Sequence, residues 1–373
     1  MDIPQEILHA FIKLSQDDPQ TLLSLCLVSW RCVDEAQKML YKTIVITDES
    51  DSSSTQVPDV VKISTKLFKT LTQYNPPLAK CVKKFVYHPD FPFRDQEYRD
   101  LTNKSLRLMT NLESLTIYTP FPPGLFRGCT FRLNEFLFCC VSSGYPYPDR
   151  EDMCRFLSRQ SHLKTLYINM VDDACITLDR RINLETLCGN RLAIETILPG
   201  RSTVKYLEWI TGREDDLTSP PRLISNELSN IRALTLGGDK PRPLLALLAS
   251  HMRSLRVLRL IGKPRTNSSD EADNEFECLP DLVNLRIFVW SARSLGKANC
   301  EYEQGMVNRE RQRELVTKWF RNMGILEAAY FQIAPVKDEP RNYLCWRRNE
   351  IDPVPVGFYE AVSRYTLMPW FWE

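Results

Sequence analysis

Leu163-Lys164-Thr165-Leu166-Tyr167-Ile168 is the stretch on which the fold turns. Apolar residues stand at its first, fourth and sixth positions. Its last four residues alternate as a strand does when one face is turned to a core. The same template, apolar-x-x-apolar-x-apolar, returns as Leu112-Glu113-Ser114-Leu115-Thr116-Ile117, Ile231-Arg232-Ala233-Leu234-Thr235-Leu236 and Leu255-Arg256-Val257-Leu258-Arg259-Leu260. Looser copies begin at Val82, Leu133, Leu184, Val204, Leu285 and Leu326. The ten starts lie 20 to 41 residues apart. That is the repeat length of architectures in which one strand and its return segment stack on the next.

Between the templates, Asp59–Tyr74, Asp149–Gln160, Arg242–Met252 and Val307–Met323 carry apolar residues at helical spacing, and Pro76-Pro77, Pro120 to Pro123 and Pro220-Pro221 punctuate the units. The pattern resembles a leucine-rich repeat, in an irregular form. The position eight residues after the first template residue, where that family places Asn or Cys to satisfy turn groups, holds Asp90, Pro120, Val141 or similar. The turns must then be satisfied by other donors. The expected fold class is α/β: an N-terminal three-helix segment over residues 1–46, a polar linker over 47–58, an irregular strand-and-helix solenoid over 59–335 and a C-terminal capping segment over 336–373. Within that last segment Pro355–Tyr365 reads as an amphipathic helix. Met368-Pro369-Trp370-Phe371-Trp372 reads as an aromatic cap on the last repeat.

Strand alternation sends the template residues into the core and leaves the intervening ones for the other, concave face. On that reading Tyr118, Tyr167, Asn169, Tyr206, Arg259 and Tyr330 are candidate partner-binding residues. A Tyr-rich wall with isolated charges suits a protein or peptide better than a phosphate backbone.

The first fifty residues read differently. Pro4 and Glu6 suit the first turn of a helix with apolar residues at 7, 8, 11, 12 and 14. Asp17-Asp18-Pro19 stops it and starts a second, Gln20–Ser29, which is apolar almost all round. A third runs from about Val33 to Tyr41, followed by a strand over 42–46. So small a helical unit holds little core of its own, and an over-apolar helix calls for cover on more than one side. The run Ile3-Pro4-x-Glu6-Ile7-Leu8-x-x-Phe11-Ile12, continued by Asp18-Pro19-x-Thr21-Leu22-Leu23-Ser24-Leu25-Cys26-Leu27-Val28-Ser29, resembles an F-box, and Glu35 to Ile44 continues as many fungal F-box proteins do. The family's usual Trp would fall at position 32. Here Cys32 stands there, and Trp30 lies two residues earlier. The resemblance implies docking on a Skp-type adaptor, and through it a cullin, with Ile3, Pro4, Ile7, Leu8, Ile12, Leu22, Leu25, Val28 and Trp30 as adaptor-binding residues. It implies a protein substrate held by the solenoid for ubiquitin transfer. The alternative is a repeat scaffold for protein contacts with no ubiquitin role.

Composition narrows the rest. Forty-eight Lys and Arg against 47 Asp and Glu leave a net charge of +1, which offers no general attraction to nucleic acid or an anionic membrane. No apolar run approaches the roughly 20 residues of a membrane helix. The acidic start Met1-Asp2-Ile3-Pro4-Gln5-Glu6 is unlike a signal peptide. An intracellular, cytoplasmic or nuclear setting is the expectation. The 12 cysteines include no Cys-x-x-Cys pair, so reduced, buried thiols are expected rather than a metal site or disulfides. No nucleophile elbow, phosphate loop or His-Glu-x-x-His is present in the sequence. Neither a catalytic residue nor a cofactor is expected.

Overall fold

Each of the ten templates opens two residues before a strand. A computed structural model describes residues 4–47, 59–88, 96–118, 124–138, 150–169, 178–212, 224–238, 241–262, 276–292, 308–333 and 342–357. The chain divides into two compact units, Met1–Ile182 and Asn183–Glu373. An N-terminal helical segment is followed by alternating strands and helices, of the kind an α/β solenoid contains.

The first unit begins with α1 (Gln5–Leu14), α2 (Pro19–Val28) and α3 (Trp30–Lys42), then β1 (Thr43–Thr47). After it come α4 (Asp59–Lys69), a π turn at Thr70–Tyr74, a 3-10 turn at Pro76–Cys81, β2 (Lys84–His88) and α5 (Gln96–Leu108). Strands β3 (Ser114–Ile117), β4 (Glu135–Phe138) and β5 (Thr165–Ile168) follow, with α6 (Arg150–Leu157) between the last two. Strands β1 to β5 pair in chain order, all parallel. Helix α5 lies outside the helical segments that the apolar spacing marks, and its Tyr98, Leu101 and Leu106 are buried along it.

The second unit runs β6 (Thr186–Asn190), α7 (Arg191–Ile197), β7 (Tyr206–Thr211), α8 (Ser225–Leu228), β8 (Ala233–Gly238) and α9 (Pro241–Leu248). It continues through β9 (Val257–Gly262), β10 (Ile287–Ala292), α10 (Arg309–Asn322) and β11 (Ala328–Gln332). Here too the parallel pairing follows chain order. Two antiparallel strands close the series, β12 (Asn342–Arg347) and β13 (Val354–Gly357). The helix expected from Pro355 is therefore corrected at its start. Val354 to Gly357 is extended and paired to β12, and Pro355 is tolerated because among the described residues this strand stands at the sheet's edge. Residues 358–373, with the aromatic run, lie outside the described residues, as do Ile3 and linker residues 48–58.

The template residues form the core. Leu115, Ile117, Phe136, Leu166 and Ile168 in the first unit are 0–2 % exposed, as are Leu207, Leu234, Leu236, Leu258 and Leu260 in the second. Aromatic rings reinforce each core. Phe126 stacks on Phe156 at 4.3 Å between centroids, and Trp319 meets Phe288 edge-on at 5.0 Å. Turn groups find donors other than an asparagine ladder. Asn111 Nδ2 donates to the Lys80 carbonyl, Asn284 Nδ2 to the Arg253 carbonyl, and Thr203 Oγ1 to the Leu184 carbonyl. Each donor stands one residue before a template. The Gln160 side chain serves the same purpose by accepting from the Leu133 amide at 2.8 Å.

Candidate functional site

The site is built on α1 to α3, and two caps fix it. Asp18 accepts hydrogen bonds from the amides of Gln20 and Thr21 at the start of α2, with Pro19 at the first helical position, where no amide hydrogen is needed. The Thr21 hydroxyl donates to the same carboxylate at 2.6 Å. This hydroxyl, with the amides, holds the Asp18 carboxyl below its ordinary value. Ser29, in extended conformation, breaks the chain between α2 and α3 and accepts from the Arg31 amide. Helix α3 packs on both α1 and α2 and also meets the Pro76–Cys81 turn.

Packing divides the apolar residues of these helices into two sets. Ile12, Leu22, Cys32 and Ala36 form a buried cluster, with Leu8, Leu25, Cys26, Met39 and Leu40 packed partly against it. Burial raises the Cys26 thiol pKa, and the nearby Cys32 adds to the shift. The other set points outward. Ile7, Phe11 and Leu14 form a stripe along α1, while Leu23, Leu27 and Val28 stand out from α2 and Trp30 from the start of α3. Leu27 is 89 % exposed and Trp30 82 %. Of the 15 large apolar side chains exposed among the described residues, these seven fall within residues 7–30, so the exposure is concentrated rather than scattered.

Among the expected adaptor-binding residues, Pro4, Ile7, Val28 and Trp30 lie exposed. Leu8 and Leu25 are half-buried, Ile12 and Leu22 are buried in the helical cluster, and Ile3 lies outside the described residues. Phe11, Leu14, Leu23 and Leu27 join the exposed face without having been singled out. The signal was available. On a helix, 7, 11 and 14 share one side while 8 and 12 share another, and 23 and 27 are one turn apart. Cys32, not Trp30, occupies the inner place on α3, and Trp30 lies outside with the Arg31 guanidinium 5.9 Å from its ring.

The strand residues proposed for partner contact are placed as follows. Tyr206 is 40 % exposed, Tyr118 and Asn169 are half-buried, and Tyr167, Arg259 and Tyr330 are buried. The structure corrects the open wall at those last three positions, because both faces of the strands are packed there. Tyr330 joins Val289, Ala328, Tyr343, Cys345 and Val356 in a cluster on the face opposite the template residues. Arg259 Nε donates to Ser291 Oγ at 3.2 Å, and Ser291 Oγ lies 2.9 Å from the Tyr343 hydroxyl, a buried polar chain across β9, β10 and β12. In the first unit Asn169 Nδ2 donates to the Tyr167 hydroxyl, and the Tyr118 ring lies 4.5 Å from His88.

No group of three or more His, Cys, Asp or Glu suited to a metal occurs among the described residues, and no described helix is long and apolar enough to cross a membrane. Comparison with protein-family models gives no match for the chain, and comparison with curated proteins gives none.

Proposed function

We propose that the chain is a substrate-receptor subunit of a cullin-based SCF ubiquitin ligase, its N-terminal helices docking a Skp-type adaptor and its strand-and-helix region holding a protein target. The observation that carries the reading is the outward apolar face of Ile7, Phe11, Leu14, Leu23, Leu27, Val28 and Trp30. Helix α2 is apolar almost all round, yet among the described residues one side alone is packed, so the other side calls for a partner. Covering seven such side chains would supply on the order of 10 kcal/mol of gross apolar burial, before the costs of association. The sequence resemblance to an F-box over residues 3–46 supplies the partner's identity. The chain would contribute proximity between target and ubiquitin, and the chemistry would belong to its partners.

The test is co-expression with a Skp-type adaptor and pull-down of wild type, a deletion of residues 1–46, and an Ile7→Asp/Leu27→Asp double variant. Both substituted residues are exposed, so the double variant should keep its fold, as checked by circular dichroism. Capture of wild type, with at least a tenfold loss in the double variant, is expected. Failure of the folded wild type to be captured would overturn the reading. A repeat scaffold would then be the better description, consistent with the packing of α3 on the Pro76–Cys81 turn.

A further inference from the structure

The residue immediately before each of strands β7, β8, β9 and β10 is a cation: Lys205, Arg232, Arg256 and Arg286. They are neighbours in register. The Arg232 amide donates to the Lys205 carbonyl, the Arg256 amide to the Arg232 carbonyl and the Arg286 amide to the Arg256 carbonyl, each at 2.8 Å. Adjacent strands lie about 4.8 Å apart, so four like charges occupy one strand edge within roughly 15 Å. Like charges on facing positions of a sheet oppose its pairing. The corresponding strand entries of the first unit avoid this. There the sequence of residues is Lys83, Glu113, Asn134 and Lys164, and Lys83 Nζ lies 2.6 Å from Glu113 Oε1. In the second unit Arg286 reaches Glu327 at 3.2 Å and Lys205 Nζ donates to the Ser202 carbonyl. Arg232 and Arg256 have no carboxylate within ion-pair distance among the described residues, and both are exposed.

Between these side chains is a recess of about 200 Å³ lined by Arg232, Ser254, Arg256, Asn284 and Arg286. Three arginines, a serine and an asparagine line it, with no carboxylate among the described lining residues. Arg286 also pairs with Glu327 and the Asn284 amide donates to the Arg253 carbonyl, which leaves Arg232 and Arg256 as the cations without a carboxylate. Planar guanidinium forks match the oxygens of a tetrahedral oxyanion, and charge-assisted bonds to such an anion are the strong ones. We propose that this recess binds a phosphoryl-type dianion, carried on a peptide or free in solution. The observations do not favour a nucleic acid. The arginines line one recess rather than a continuous groove, and no aromatic side chain among the described residues lines it to stack a base. The inference rests on the second unit alone and stands apart from adaptor docking by the N-terminal helices.

Titration calorimetry on the full chain tests it, with pyrophosphate as the probe and sodium chloride at matched ionic strength as the control. Wild type would be compared with Arg232→Gln, Arg256→Gln and, on the outer side of α10, Arg321→Gln. Saturable pyrophosphate binding is expected, weakened at least tenfold by Arg232→Gln and Arg256→Gln but less than twofold by Arg321→Gln, with circular dichroism unchanged in all three. A phosphoserine peptide and its unphosphorylated twin then compete for the site. Displacement by the phosphorylated peptide alone assigns the anion to a protein, and displacement by neither assigns it to a small molecule. Three outcomes would overturn the proposal: heat no different from that of chloride, equal weakening by Arg321→Gln, or tighter binding of a single-stranded oligonucleotide lost in the same variants.

Discussion

Three glycines separate two costs that a side chain can impose on this fold. Gly238 ends β8 with φ +101°, and a Cβ built there would lie 2.0 Å from the Thr211 carbonyl oxygen on β7. Gly200 also has positive φ, +77°, but a Cβ would meet nothing within 4 Å. Gly324 has neither a positive φ nor a neighbour within 4 Å. For Gly200→Ala the expected cost is the left-handed backbone alone, about 1–2 kcal/mol. For Gly324→Ala it is within about 0.5 kcal/mol of zero. Gly238→Ala carries the backbone cost and must also push β7 and β8 apart by more than 1 Å to reach ordinary contact distance, a rough figure from packing radii. That displacement breaks the hydrogen bond from Thr211 Oγ1 to the Gly237 carbonyl, 2.9 Å long and buried, at a further cost of about 1–3 kcal/mol. The sum is on the order of 2–5 kcal/mol, a large part of the stability of an ordinary domain. Because the chain has two compact units, a single melting temperature is a poor reporter. Hydrogen exchange followed by mass spectrometry, on peptides covering 206–211 and 233–238, reads the opening of this strand pair directly. Gly238→Ala is expected to raise exchange in those peptides by at least about thirtyfold, with little change over α1 to α3. If it exchanged no faster than Gly200→Ala, the close approach of β8 to Thr211 would be refuted.

Other outcomes follow from the packing. Leu22→Ala, at 1 % exposure in the helical cluster, should loosen α1 to α3 by about 2–5 kcal/mol, whereas Leu27→Ser should cost less than about 0.5 kcal/mol, both read by urea denaturation. Trp346 Nε1 donates to Gln312 Oε1 at 2.8 Å and both residues are buried, so Gln312→Leu should lower stability by about 1–3 kcal/mol and change tryptophan emission. Burial pushes the Cys129 thiol up to about 12 and the Cys278 thiol up to about 11, from an ordinary 9.0. Both should therefore resist iodoacetamide at a pH of about 8.5 until the chain unfolds, as peptide mapping would show. Folded-state values above the unfolded one mean that the native state holds these protons longer. Their contribution to stability is intact below pH 9 and is lost as pH rises toward 11 and 12, which a denaturation series across that window would detect.

Strand positions were the most legible part of the fold, because burial of the fourth and sixth template residues leaves a periodic trace that no loop imitates over ten copies. Helices α4, α6, α9 and α10 were visible for the same reason. What escaped the reading depended on what packs against what. The strand at Val354 to Gly357 carries two valines and a proline, too few residues to show a period, and its pairing to β12 is a tertiary choice. Tyr167, Arg259 and Tyr330 were placed on an open wall because alternation identifies two faces without saying whether the second is covered. At the N-terminal helices both the outer and inner stripes are apolar, so composition could not divide them, although spacing could. The basic edge was legible too. Lys205, Arg232, Arg256 and Arg286 all occupy the second position of their templates, but a charge at a strand entry looks ordinary until four of them fall on one edge.

The two antiparallel strands at the end of the series have a consequence for how such a protein can change in length. Parallel strands that each pair with the next in sequence form an open template, and one more strand-and-helix unit can be inserted between any two of them without disturbing a distant contact. Beyond β11 that freedom ends. The chain reverses direction twice, and the outermost of the described strands presents Pro355, which has no amide hydrogen to offer a newcomer. Gain or loss of whole repeats by duplication is thereby confined to the interior of the parallel stretch. The reversed strands would keep their pairing to the last parallel strand while the number of units before them varies.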